Sequence, residues 1–326
     1  MKRKTASIKD VANLAGVSIA TVSRFLHGKY NRMSQMTAQK VASAIEQLNY
    51  VPNAAAQQLI TNKSKTIAII VANIADSFST ELFKGASSVL EPVGYTTVML
   101  DTDSQQQKEE HLINAVGLNT YDGLILQPLS SDVATIKDEV RRKIPIVILD
   151  RKLAYSPWPQ VLSDNRSASY RAAKYFHQHH CTDAIVLSSP ISVASTRQER
   201  LAGIKEVYPQ ATILEFNDES NQNAVYQKIG KALTNNQKTV LFFLEERWLL
   251  ALLPRLINDK LLNEKKLQIS GFADTDLIST IWPTAKMIIQ NPYQMGKSAG
   301  QIMLNLLNEN RNIPEVTTIK TEFKPK

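Results

Sequence analysis

The chain has 326 residues, a formal net charge of +8 and a mean hydropathy of −0.20, enough length for two or three domains with substantial cores. No apolar run reaches membrane-spanning length, and the basic N-terminus is not followed by an apolar segment, so neither a membrane partner nor a secretory signal is expected. Cys181 is the single cysteine, which excludes an internal disulfide and fits a reducing, cytoplasmic compartment.

The first elements lie in Ser7–Gly28, SIKDVANLAGVSIATVSRFLHG. Ser7 is placed to cap a first helix, in which Ile8, Val11, Ala12, Leu14 and Ala15 recur at helical spacing and form one apolar face. Gly16 stops that helix, because glycine reaches left-handed backbone angles cheaply. Val17 plugs the turn and Ser18 caps a second helix over Ile19–Leu26. Val22, Phe25 and Leu26 face inward there, which leaves Ile19, Ala20, Thr21, Ser23 and Arg24 outward. A second helix with a small, polar and basic outer face is what a helix-turn-helix unit lays in the major groove of DNA. Arg24 has the reach for a guanine edge or a phosphate, and Thr21 and Ser23 are short enough to bond phosphate closely. A third helix fits from Ser34 to Leu48. The alternative for this stretch is a helical hairpin used for packing or dimerisation. Charge favours the DNA reading: residues 1–63 hold nine Lys/Arg against two acids, whereas the rest is nearly neutral. A basic head on a neutral body is the footprint of phosphate binding.

The join, residues 49–64, starts a short helix at Pro52. Asn53 to Leu59 spans about two turns, marginal alone and stable only when packed against something. From Thr66 the pattern changes to short apolar runs alternating with amphipathic segments. Strands are expected at 66–72, 95–101, 122–127 and 145–150, then at 184–189, 212–216, 239–244, 267–272 and 287–290. Helices are expected near 79–92, 104–118 and 132–143, then near 166–179, 197–208, 222–235, 247–258 and 294–309. Such alternation predicts doubly wound parallel α/β sheets, and two series predict two lobes. Ligands of such sheets sit outside the carboxyl ends of the strands, so the expected pocket is a cleft between the lobes.

Catalytic signatures are absent: the sequence has no Walker loop, no dinucleotide glycine fingerprint and no Gly-x-Ser-x-Gly elbow. No enzyme activity and no cofactor are therefore expected. His177 and His180 are three apart beside His179 and Cys181, which is compatible with metal binding. The cluster falls at a predicted helix end, where the helix dipole favours His, and further ligands at proper spacing are lacking, so no metal is expected. Trp248, Leu249, Leu250, Leu252 and Leu253 read as core or a subunit face rather than a cofactor box.

IKDVANLAGVSIATVSRFLHG, YVPNAAAQQL and the two-lobed body together resemble the LacI/GalR family of bacterial transcription regulators. Body motifs also match: GLIL, Asp150-Arg151, Asp164-Asn165, Arg200-Leu201-x-Gly203, Gly271-Phe272 and Gln290-x-Pro292. The resemblance implies a homodimer that reads a pseudo-palindromic, double-stranded operator. It implies that Ile19, Ala20 and Arg24 reach major-groove bases, with apolar contacts to thymine methyls replacing some hydrogen bonds. Leu59 matches a hinge leucine that wedges into a minor-groove base step, with Ala56 on the same face, so that the kinked site engages both heads. Ser7, Thr21, Ser23, His27 and Asn53 complete the expected DNA-contacting set. The loop from Gly28 to Ser34 is slightly longer than the family's.

The resemblance also implies a small effector, a sugar or sugar acid, held between the lobes by Asp76, Phe78, Arg151, Asp164, Thr196, Arg197, Glu246 and Asp274. The family's arginine aligns with Arg197 or with Gln198. The chain departs from the family at Glu245-Glu246, at Phe272-Ala273-Asp274 and at the polar run Asn217-Asp218-Glu219. Arg151, Arg166 and Arg197 together favour an acidic sugar derivative, since guanidinium pairs bidentately with carboxylate; the alternative is that Arg151 and Arg166 are surface or structural charges. The expected domains are a helix-turn-helix head (1–50), a hinge helix and linker (51–64), an N-terminal lobe (65–163 plus 292–326) and a C-terminal lobe (164–291). A leucine-heptad tail is lacking, so a dimer rather than a tetramer is expected. The expected function is a repressor of carbohydrate or sugar-acid metabolism genes. A solute-binding protein for sugar transport shares the architecture but needs a secretory signal in place of a basic head.

Overall fold

The computed structural model describes residues 6–26, 28–51, 63–140, 143–217, 221–233, 237–263, 265–310 and 312–323. It divides into two compact units, Met1–Ser64 and Lys65–Lys326.

The first unit has three helices, α1 (Ile8–Ala15), α2 (Ile19–Leu26) and α3 (Gln35–Gln47). Ser7 and Asp10 form a reciprocal capping box at the start of α1, satisfying amides that the helix leaves without partners. Gly16 closes α1 at φ 66° and ψ 35°, the left-handed region expected of a glycine cap. Val11, Ala12, Ala15, Val22, Val41 and Ala44 are buried, with Ile8, Val17, Phe25, Leu26, Ile45 and Leu48 packed around them. Leu14 departs from the expected apolar face and is 50% exposed. Only one stripe of so short a helix can face α3, and Val11, Ala12 and Ala15 occupy it.

The second unit begins with β1 (Thr66–Val71), α4 (Ser77–Leu90), β2 (Thr96–Asp101), α5 (Gln106–Ala115), β3 (Gly123–Leu126), α6 (Val133–Glu139), β4 (Ile146–Leu149) and β5 (Gln160–Ser163). A second series follows: α7 (Asn165–Gln178), β6 (Asp183–Ser188), α8 (Ser195–Lys205), β7 (Thr212–Glu215), α9 (Gln222–Ala232), β8 (Thr239–Phe243), α10 (Glu246–Asn258), β9 (Leu267–Ala273), α11 (Leu277–Ile281) and β10 (Ile288–Ile289). The chain ends with α12 (Pro292–Leu307), β11 (Val316–Ile319) and β12 (Glu322–Phe323). One sheet has the order β2-β1-β3-β4-β5-β11 and the other β7-β6-β8-β9-β10-β12. Every pairing is parallel except β10 with β12. Near-continuous apolar runs such as TIAIIV and TVLFF are buried on both faces, as a parallel sheet covered by helices on both sides requires.

The chain crosses between the lobes three times: after β5, after β10 and after β11. β12 pairs with β10, so Glu322 and Phe323 join the second sheet, not the first lobe to which 292–326 is assigned above. The elements absent from the sequence reading are β5, α11, β11 and β12. The strands among them are short and mix polar with apolar residues, and β11 and β12 lie at the sheet edges.

α4 and α12 pack in unusually close contact. A Cβ on Gly296 would lie 1.9 Å from the Leu82 carbonyl oxygen, and one on Gly85 would lie 2.0 Å from that of Tyr293. The missing side chains are what let the two backbones touch.

Candidate functional site

The head carries its exposed face on α2. Val22 is fully buried, while Ile19 is 47% exposed; Ala20 and Arg24 are also exposed, and Thr21 and Ser23 partly so. Ser18 caps α2: its hydroxyl accepts from the Thr21 amide at 3.1 Å and pairs with Thr21 Oγ1 at 2.9 Å. Ser7 is exposed, its hydroxyl donating to Asp10 Oδ2 at 2.7 Å. The loop of expected extra length holds a 3-10 turn at Tyr30–Arg32, with Tyr30 edge-on to Phe25 at 5.5 Å. His27, Asn53, Ala56 and Leu59 lie outside the described residues.

In the second unit, a cleft of about 310 Å³ opens at the carboxyl ends of both sheets. Seven of the eight expected effector residues line it: Asp76, Phe78, Arg151, Thr196, Arg197, Glu246 and Asp274. Asp164 does not. Its Oδ1 accepts from the Thr321 amide and hydroxyl, both at 2.8 Å, and its Oδ2 accepts from Arg171 at 3.0 Å. Asp164 and Thr321 sit at the first and third crossings, so this carboxylate ties two interlobe connections together.

The arginines separate by environment. Arg166 pairs with Glu206 at 2.6 Å on the surface and is not among the cleft residues. Arg197 lines the cleft, donating to the Pro190 carbonyl at 3.0 Å and pairing with Glu245 at 2.8 Å, whereas Gln198 donates to the Ser192 carbonyl at 2.9 Å. Arg197 therefore holds the cleft position of the two open alternatives. Glu245 also takes Arg247 at 3.3 Å and the Ser189 amide at 2.8 Å. Burial opposes its ionisation, but these partners hold its carboxyl below the usual range. Arg200 is buried, donating to Asn165 Oδ1 at 2.8 Å, the Leu244 carbonyl at 2.5 Å and Gln290 Oε1 at 2.8 Å, with Phe272 beneath it at 3.7 Å. Among the described residues, the Arg151 guanidinium makes one hydrogen bond, from Nη1 to the Pro128 carbonyl at 3.3 Å. Burial pulls its guanidinium below its ordinary value.

The acids are similarly distinct. Glu246 is buried and accepts from Thr275 Oγ1 at 2.7 Å and from the amides of Asp274 and Thr275. Burial raises its carboxyl above the usual range. Burial also pushes Asp274 up to about 7, with Arg200 opposing and Glu246 reinforcing. Asp150 is 6% exposed and held at φ 65°. Its Oδ2 accepts from Gln127 at 2.9 Å, while its buried Oδ1 has no hydrogen-bond partner among the described residues.

Asp150, Arg200, Glu245, Arg247, Gln127 and Gln290 also line the cleft, although the sequence reading does not place them there. The signal is present, since Gln127, Asp150 and Gln290 are each the first residue after a strand. The rule that ligands gather at carboxyl ends of parallel strands would have selected them. The histidine cluster behaves as a helix terminus. His179 stacks on Tyr175 at 4.0 Å, Cys181 is buried, and no three His, Cys, Asp or Glu among the described residues could hold a metal. Trp248, Leu249, Leu252 and Leu253 are buried core, and Leu250 reaches the cleft.

Residues 7–53 match the model described as "Bacterial regulatory proteins, lacI family", and residues 67–311 match that of a periplasmic binding protein domain. A LacI transcriptional regulator from Lactobacillus brevis is 40% identical, covering 79% of this chain and 99% of its own, at a TM-score of 0.77. The chain belongs to the LacI family. It is a transcriptional regulator with a helix-turn-helix head, similar along nearly its whole length to others of this family. The HTH-type transcriptional regulator KdgR of Bacillus subtilis is 29% identical over 335 residues, spanning 99% of this chain and 98% of the relative. In fold, the LacI-family chain also matches the Lac repressor, seen as a dimer bound to operator and the anti-inducer ONPF, at a TM-score of 0.84 and 19% identity over 98% of each chain. No helix among the described residues is long and apolar enough to cross a membrane.

Proposed function

We propose that this chain is a cytoplasmic, homodimeric repressor of carbohydrate genes, without catalytic activity. A small polyhydroxylated metabolite in the interlobe cleft controls its hold on a pseudo-palindromic operator. The observation that carries the reading is the face of α2: Ile19, Ala20 and Arg24 stand exposed above a fully buried Val22, on a head that holds nearly all of the net charge. Exposed apolar and guanidinium groups on one helix face suit thymine methyls and guanine edges. Ser7, Thr21, Ser23, His27 and Asn53 serve positioning contacts to phosphate, and Leu59 with Ala56 serves the hinge wedge.

The domain division is 1–50 for the head, 51–64 for the hinge, and two lobes built on 65–163 plus α12 and β11, and on 164–291 plus β12. An effector touching Arg151 and Asp150 in one lobe and Arg197, Glu246 and Asp274 in the other changes lobe closure. That change alters the spacing of the two hinge segments in the dimer. A coupling of about 1–3 kcal/mol suffices to change operator affinity many-fold.

Arg24→Ala tests the base-reading role. Binding to a selected operator duplex, followed by fluorescence anisotropy, should weaken by roughly 1–3 kcal/mol with reduced discrimination at one base position. Unchanged discrimination would remove Arg24 from the reading face.

A further inference from the structure

Among the four arginines that line the cleft, three pair with a carboxylate or with several oxygens. Arg197 and Arg247 share Glu245, and Arg200 spends its guanidinium on three oxygens that hold the second lobe together. Arg151 is different. A guanidinium offers five N–H donors, and among the described residues Arg151 uses one, on the Pro128 carbonyl at 3.3 Å. The neighbouring carboxylates are committed elsewhere. Glu109 is turned to the amides of Leu129 and Ser130 at 2.6 and 3.3 Å, and Glu245 faces Arg197 and Arg247. The next residue back, Asp150, is buried: its Oδ2 is bonded to Gln127, and its Oδ1 has no donor among the described residues.

The cleft wall therefore presents one underused cation, Arg151, next to the buried carboxylate of Asp150. Arg151 is half-buried, so a carboxylate that displaces solvent from its guanidinium gains a charge-assisted pair in a partly dry wall. We infer that the cleft selects a polyhydroxy monocarboxylate, with its carboxylate on the Arg151 guanidinium. The inference rests on the effector reading above and narrows it to one charge class. One available guanidinium balances one negative charge, and guanidinium meets a planar carboxylate bidentately. A doubly charged phosphate ester would also confront Asp150, Glu245 and Glu246 without a second free cation among the described cleft residues. Arg151 sits at the lobe junction: the amide of Lys152 donates to Ser195 Oγ, across to the second lobe, at 2.8 Å. A carboxylate drawn to Arg151 therefore lands beside an existing interlobe contact.

The test is calorimetric titration of the full chain with matched probes: gluconate, glucuronate and galacturonate, each against its uncharged amide, with glucose and a hexose phosphate alongside. At least one acid should bind at least about tenfold more tightly than its amide, as a charge-assisted pair in a partly dry site implies. Arg151→Gln should erase that ratio, and Arg166→Gln, on the surface with Glu206, should preserve it. The acid–amide comparison uses the unaltered chain, so it stands even where Arg151→Gln fails to fold. Equal binding of acid and amide overturns the inference, as do tighter binding of the phosphate, a preference that survives Arg151→Gln, or no binding by any acid. If a neutral sugar binds and loosens the operator, the effector reading survives and the carboxylate class falls. If an acid binds with the predicted preference but leaves operator affinity unchanged, the class stands and the effector reading falls.

Discussion

Asp274 shows how the cleft turns residue chemistry into a measurable property. Burial raises its carboxyl to about 7, so between the ordinary carboxylate range and that value the folded chain holds a proton that the unfolded chain releases. Stability through this group therefore declines as pH rises from the ordinary range through about 7, and is level above it. Melting temperatures from pH 5 to 8 should fall in the native chain, and Asp274→Asn should reduce that fall. Glu246 is also raised, so the slope should shrink rather than vanish; an unaltered slope would contradict the burial of Asp274. At this scale the sequence was partly legible. Arg151, Arg166 and Arg197 look alike in the chain, and only folding sends Arg166 to Glu206 and the other two to the cleft. Asp164 was misplaced for a related reason. It follows β5 as Asp150 follows β4, but Thr321, 157 residues later, returns to take its carboxylate.

Elements were more legible than side chains, because burial writes itself into periodicity. TIAIIV and TVLFF read as strands since both faces are covered, and the helix ends are marked by Ser7, Gly16, Ser34 and Asn291. QVLS and VTTI were missed because their short, mixed runs resemble loop until the partner strand is known. The α4–α12 contact depends on absent atoms. Gly296→Ala should destabilise the body by about 1–3 kcal/mol or more, read by urea unfolding, because the new Cβ meets the Leu82 carbonyl rather than a movable side chain. Arg200→Met should cost at least about 2 kcal/mol, since Leu244, Asn165 and Gln290 oxygens lose their donor. A wild-type unfolding midpoint in Arg200→Met would show that those oxygens find other partners.

At the scale of the whole molecule, a small basic head precedes a two-lobed body whose cleft is lined from both sheets. The cleft's walls come from both lobes, so any ligand that fills it acts on their closure. That closure matters only if the head reads a defined site as a pair, since one head contacts few bases. The most direct measurement is selection of the full chain on a random duplex pool, with the stoichiometry of the enriched duplex then determined. The expected result is enrichment of an inverted repeat bound by two chains, with Arg24→Ala losing preference at symmetric positions in both halves. Enrichment of no sequence, or of a single half-site bound by one chain, would contradict it.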